Sequence, residues 1–270
     1  MIATAVYSFS GLEAVLTVDL LTFAVAFITL MFFIRIPKQS AESAELSVIK
    51  SAKSGLDFLK SHKQVLMLIM YLSAINLVAS MYEAVLPAMV LSRKGGGTQA
   101  LGAVSTCVGA ATLIGSIIAT LMPKPKSRRR VICLSLLFSM STENFFLAFG
   151  QTPLLWCTGA VLGWILIPMM SANLDVIMRT KVPCHMQGRV YSARNTLQFF
   201  TIPLGNFLGG LAVDTFAEPL MAAMPHNSLM CNIFGSGKGS GAALIFFIIG
   251  IMGVAVCLIF NSNKHIKKIE

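Results

Sequence analysis

The sequence predicts an all-α integral membrane protein with about seven transmembrane helices. Three observations predict it. The chain has 270 residues of which 56% are hydrophobic and only 12% charged, with a mean hydropathy of +0.77. A soluble domain usually carries about twice that charged fraction, so this chain has too little polar surface to face water. Seven apolar runs are long enough to cross a bilayer, and the positive charges fall between them in a one-sided pattern.

The runs are residues 13–34, 65–91, 99–122, 131–149, 153–177, 190–214 and 240–260. In lipid every backbone polar group must be satisfied within the protein, and continuous runs of about 20 residues are helices rather than barrel strands. The N-terminal apolar stretch extends to Ile34. As one helix it would reach ~51 Å, against a hydrocarbon core of ~30 Å. A break at Gly11 is expected, with residues 1–9 as the tail of one helix and a full span after it. No basic n-region marks a signal peptide.

Of the 21 Lys and Arg residues, 18 fall on one side if the spans alternate. They occupy the segment 35–64, the loop 124–130, the stretch 178–194 and the C-terminal tail. Only Arg93, Lys94 and Lys238 fall on the other. The positive-inside rule makes the crowded side cytoplasmic. The sequence PKPKSRRR, residues 123–130, has five positive charges and no acid. Between two spans it reads as a cytoplasmic loop that faces anionic headgroups, and not as a nucleic-acid site. The C-terminus is then inside, and seven spans put the N-terminus outside, which points to a further span upstream. The expected organisation is a remnant of a preceding half over 1–34, a cytoplasmic linker over 35–64, a six-helix bundle over 65–260 and a cytoplasmic tail over 261–270.

Within the linker, residues 44–61 are amphipathic: Leu46, Ile49, Ala52, Leu56 and Leu59 recur at helical spacing. This predicts a helix on the inner membrane surface. The loop 215–239 runs into GSGKGSG, residues 235–241, which fails the phosphate-loop pattern and reads as a flexible linker. Small residues at four-residue spacing are Gly159 with Gly163, Gly205 with Gly209, and Ala111, Gly115 and Ala119. These predict close helix–helix faces.

Ionisable groups inside spans are costly unless paired or wet. Asp175 lies one turn before Arg179, and a pair with Arg179, Arg189 or Arg194 is expected near the cytoplasmic end. With Arg128, Arg129 and Arg130 these form a predicted charge network at that face. Glu13, Asp214 and Arg194 lie near span ends. Asp19 and Glu83 are deeper and have no in-helix partner, and Glu143 lies about two turns from the outer end of its span. Asn76, Asn144, Asn173, Asn195 and Asn206 add polar groups able to join helices or meet a ligand. His62, His185, His226 and His265 fall in loops or the tail, so no nucleophile–base pair forms and an enzyme is not expected. The six cysteines have no metal-ligand spacing, with Cys184 and Cys231 in loops, and no cofactor is expected.

Three stretches carry a resemblance. GLEAVLTVDLLTFAVAFITLMFFIRIP (11–37), GSIIATLMPKPKSRRRV (115–131) and VPCHMQGRVYSARNTLQFFTIPLGNFLGGLAVD (182–214) resemble the drug-efflux branch of the major facilitator superfamily, like the macrolide and enterobactin exporters. The first is similar to that branch's sixth span. The second is similar to its basic loop between spans eight and nine, without the Asp of the family pattern. The third is similar to its loop ten–eleven and eleventh span. The family has twelve spans in two halves, so the resemblance implies a chain covering the sixth to twelfth spans and needing a missing N-terminal half. It implies proton-coupled efflux of small hydrophobic compounds across the cell membrane by alternating access. The substrate cavity would lie between the halves. That places Asn76, Glu83 and Asn173 as cavity residues and moves Glu143 to a peripheral helix. A seven-helix receptor and a non-transporting scaffold or degraded gene product are the alternatives; the last span has no Lys for a retinal.

The topology makes a direct prediction. A cysteine placed at Lys126, in a background without reactive native thiols, is expected to escape membrane-impermeant maleimide in intact cells and to react once the cytoplasmic face is opened. Labelling in intact cells would overturn the assigned orientation.

Overall fold

The computed structural model describes residues 2–32, 48–225, 227–267 and 269. The chain divides into two units, 1–47 and 48–270. Unit 1 is described over helix α1, Ile2–Phe32. The expected break at Gly11 does not occur, because α1 runs through it. One Gly costs a helix only ~1 kcal/mol relative to Ala. Breaking an apolar helix exposes backbone groups at greater cost. Its apolar segment Leu16–Phe32 corresponds to the first predicted span. The last two positions of that span, and the basic stretch with Arg35 and Lys38, lie outside the described residues.

The other six predicted spans are membrane-length apolar helices, and the protein is an all-α integral membrane protein. In unit 2 they are α3 (Lys63–Ser92), α4 (Thr98–Leu121), α5 (Arg128–Phe149), the pair α6 (Pro153–Trp164) and α7 (Ile167–Lys181), α8 (Cys184–Leu211) with its continuation, and α11 (Ser240–Ser262). The amphipathic helix is α2, Val48–Ser61, and residues 44–47 of the predicted segment lie outside the described residues. Going round the bundle, α3 packs on α11, α11 on α5, α5 on α6 and α7, these on α4, and α4 returns to α3. Helix α8 lies along α3, and α2 packs on α8.

The small-residue positions show why the helices approach so closely. A Cβ on Gly205 would stand 2.5 Å from the Leu77 carbonyl oxygen, and one on Gly209 2.9 Å from that of Met81. A Cβ on Gly115 would stand 2.1 Å from the Ile165 carbonyl oxygen. The predicted packing faces are therefore real, with backbone against backbone. The fifth span is interrupted at Ile165 and Leu166. Pro168 has no N–H for the Trp164 carbonyl, so the ladder loses a bond there.

The loop predicted over 215–239 is largely helical. After α8 the chain makes a π-helical turn, Ala212–Ala217, then α9, Glu218–Ala222. The Glu218 N–H reaches back five residues to the Val213 carbonyl, which accommodates Pro219 without ending the helix. A short helix α10, Leu229–Phe234, follows, and it contains Cys231. Cys184 likewise begins α8. His226 lies outside the described residues.

The expected flexible GSGKGSG linker is a tied-down helix start. Glu218 Oε1 accepts from the Gly239 N–H at 3.0 Å and the Ala242 N–H at 3.3 Å, capping α11. Gly235, Gly237 and Gly239 all have positive φ, near +85°, a turn that side chains disfavour. Arg93, just past α3, closes this end. Its Nη1 donates to the Gly150 carbonyl at 2.5 Å, and its Nη2 donates to the Phe234 carbonyl. Trp156 Nε1 donates to the same Gly150 oxygen at 2.9 Å. Burial pushes the Arg93 guanidinium below its ordinary pKa, and the nearby Glu218 carboxylate opposes that shift. The ends of α3, α5 and α10 are thus joined through one cation.

Removing it should be costly. Arg93→Ala is expected to destabilise the bundle by about 2–4 kcal/mol, since two carbonyls lose a charged donor. The exposed neighbour Lys94→Ala should cost nearly nothing. Thermal unfolding in detergent compares the two.

Candidate functional site

Inside the ring, between α3, α5, α6 and α7, lies a cavity of about 150 Å³. Its central polar group is Glu143 on α5, only 4% exposed. Trp164, the last residue of α6, donates its indole N–H to Glu143 Oε1 at 2.8 Å. The helix face that holds them together is the Gly159–Gly163 pair. A Cβ on Gly163 would stand 2.6 Å from both the Cβ and Oε2 of Glu143, and one on Gly159 would stand 2.6 Å from the Cβ of Phe146. Only glycine lets α5 settle deep enough for the carboxyl to sit under the indole. The break after Trp164 lies at the same level.

The α3 side contributes Asn76, Tyr82 and Glu83. Tyr82 is buried and its ring meets Phe246 edge-on at 5.5 Å. The Tyr82 hydroxyl and Asn144 Oδ1 make no hydrogen bond to any described residue, while Asn144 Nδ2 donates to the Met140 carbonyl at 2.8 Å. Glu83 is exposed at the cavity margin and Asn76 is half-buried. Among the described residues no Lys, Arg or His lines this space. Its polar groups are two carboxyls, an indole N–H, a phenol, the amides of Asn76 and Asn144 and the Ser139 hydroxyl, among apolar walls. Such a site can hold protons or a cationic group. A bare carboxylate there would cost several kcal/mol, and a proton or a cation removes that cost.

The structure thus brings together two of the predicted cavity residues, Asn76 and Glu83. It adds Glu143, which the family comparison of the sequence had moved to the periphery. Asn173 lies elsewhere, buried on α7, where its Nδ2 donates to the Met169 carbonyl at 2.8 Å and its Oδ1 accepts from Arg128 at 3.4 Å. Asp19 is on α1 in unit 1, where its carbonyl accepts from Thr22 Oγ1 at 2.9 Å. No sequence spacing links Glu143 to Trp164, 21 residues apart. The available signal was Gly163 immediately before Trp164, a small-residue face beside a donor.

At the opposite end from Arg93 the predicted charge network takes another form. Asp175 and Arg179 are both exposed, and among the described residues Asp175 forms no ion pair with Arg179, Arg189 or Arg194. Several of the guanidinium groups donate to neutral side chains. Arg129 donates to Asn261 Oδ1 at 2.9 Å, joining α5 to the end of α11. Arg189 donates to Ser54 Oγ at 3.1 Å, where Gly55 brings α2 against the Arg189 carbonyl. Arg194 donates to Gln198 Oε1 at 3.1 Å and lies 5.7 Å from the Tyr191 ring centroid. The Arg130 backbone N–H donates to the cap residue Ser127 at 3.2 Å. An exposed ion pair is worth only about 0–1 kcal/mol, so neutral acceptors in fixed places compete well.

A helical bundle that spans the membrane and encloses a polar cavity at a helix break is the architecture of a transporter. The Major Facilitator Superfamily model matches residues 1–206. The chain belongs to that superfamily, whose members carry solutes across membranes. No curated protein and no solved structure matches the chain.

Two substitutions check the geometry. Gly163→Ala places a methyl group on the Glu143 side chain and is expected to destabilise the protein by about 1–3 kcal/mol, as overpacking does. Gly102→Ala, where the space is open, should not. Thermal unfolding of the purified variants distinguishes them.

Proposed function

We propose that the protein takes part in proton-coupled efflux of small hydrophobic, drug- or macrolide-like compounds, with its C-terminus on the cytoplasmic side of the cell membrane. The observation that carries this reading is a buried carboxyl, Glu143, held under an indole N–H inside a cavity of the bundle. In this scheme Glu143 exchanges a proton for substrate, while Glu83 and Asn76 at the margin receive the substrate. The interruption between α6 and α7 lets the segment beyond Trp164 tilt relative to α6. Each such movement alters the cover over the carboxyl, which links access to protonation. By resemblance, the bundle of unit 2 acts as one of two halves, and the substrate path runs between them.

The chain contains two tryptophans, Trp156 and Trp164, which gives a test that does not require transport. Titrating the purified protein with a macrolide should quench its tryptophan emission. The response should vanish in Trp164→Phe and shrink strongly in Glu143→Gln. In proteoliposomes that hold the chain together with the N-terminal half the resemblance calls for, under an imposed pH gradient, Glu143→Gln should lose gradient-driven efflux. A variant that still pumps at the original rate would exclude Glu143 as the coupling acid.

A further inference from the structure

A second cavity, of about 160 Å³, lies at the basic end, between α4, the loop after it, α5 and α7. Its rim carries Lys124, exposed, and Arg128, half-buried. Asn173 lies in the wall, and Met122, Met169 and Val176 make the wall apolar. Among the described residues no Asp or Glu lines it. Arg128 makes one long bond, 3.4 Å, to the neutral Asn173 amide. A guanidinium has five N–H donors and a permanent charge, so this contact leaves the charge uncompensated. Pro123 and Pro125 end α4 and hold the loop on the rim.

The surroundings narrow the ligand class. The cavity is at the end of a membrane-spanning helix, where headgroups lie. It adjoins the outer surface of α4, where Ile118, Leu121 and Met122 are 38%, 78% and 51% exposed. A small free anion would use the two cations and ignore that apolar surface. A phospholipid uses both. Basic pockets between spanning helices are suited to anionic headgroups.

We propose that this cavity binds the headgroup phosphate of an anionic phospholipid between Lys124 and Arg128, with its acyl chains along the exposed end of α4. The bound lipid joins the α4–α5 loop to α7, the segment beyond the interrupted helix. Arg128 turns from Asn173 to the phosphate, and the amide oxygen becomes available to the lipid glycerol or headgroup hydroxyls.

The test uses the purified full chain in phosphatidylcholine nanodiscs, titrated with phosphatidylglycerol, with retained lipid counted by native mass spectrometry. Phosphatidylglycerol should be retained in preference to phosphatidylcholine. Lys124→Gln and Arg128→Gln should each lower that retention about fivefold, and Lys238→Gln, at the opposite end, should leave it unchanged. Inorganic phosphate at millimolar concentration should not compete the lipid off. Equal retention of both lipids overturns the proposal, as does undiminished retention in the Lys124→Gln variant. Displacement by inorganic phosphate overturns the lipid as the source. Lys124 is exposed, so its variant folds and keeps the test valid if Arg128→Gln does not.

Discussion

A carboxyl group inside a membrane bundle has to be covered and given a donor, and the bundle's packing around α5 follows from that demand. Covering Glu143 requires α6 to approach at its side-chain base, which requires Gly163. Supplying the donor requires an indole one residue later, at the end of α6. That position is also where the helix is interrupted, because Pro168 leaves the Trp164 carbonyl without its usual partner. Close packing, polar satisfaction and the break therefore coincide over a few residues.

The two ends of unit 2 are built on opposite electrostatic principles. At one end a single half-buried cation, Arg93, gathers carbonyls from α5 and α10, and Glu218 caps α11. Charge there is sparse, and Arg93 and Glu218 are both engaged, which suits a fixed closure. At the other end basic residues far outnumber acids, and they engage Asn, Ser and Gln side chains. For Arg189 and Arg194 these neutral partners leave the charge available to the membrane surface.

Helices that must pass lipid declare themselves through unbroken apolar length, so six spans were legible from composition alone, and the small-residue faces from spacing. The GSGKGSG segment was not. Its function as the start of α11 depends on Glu218, about twenty residues earlier and visible only once the chain turns back. Gly11 misled for a related reason: a glycine lowers helix propensity slightly, while lipid-like surroundings raise the cost of any break far more. The Asp175 pairing looked sound from one-turn spacing, but exposed pairs are weak, and local order at that end is set by neutral acceptors.

From the sequence by itself came the membrane class, the number of long apolar helices in the bundle, the one-sided distribution of positive charge and the glycine faces. Each of these is a local or additive property, since hydrophobicity and charge sum along the chain whatever the helices touch. Which polar group becomes the centre of the site was decided by tertiary structure. Glu143, Tyr82 and Trp164 lie on three different helices, and their meeting depends on how deep each glycine lets its neighbour sit. Asn76, Glu83 and Asn173 had equal standing on the sequence. Helix rotation turned the first two toward the carboxyl and the third toward Arg128, because a helix can present a given residue to only one neighbour.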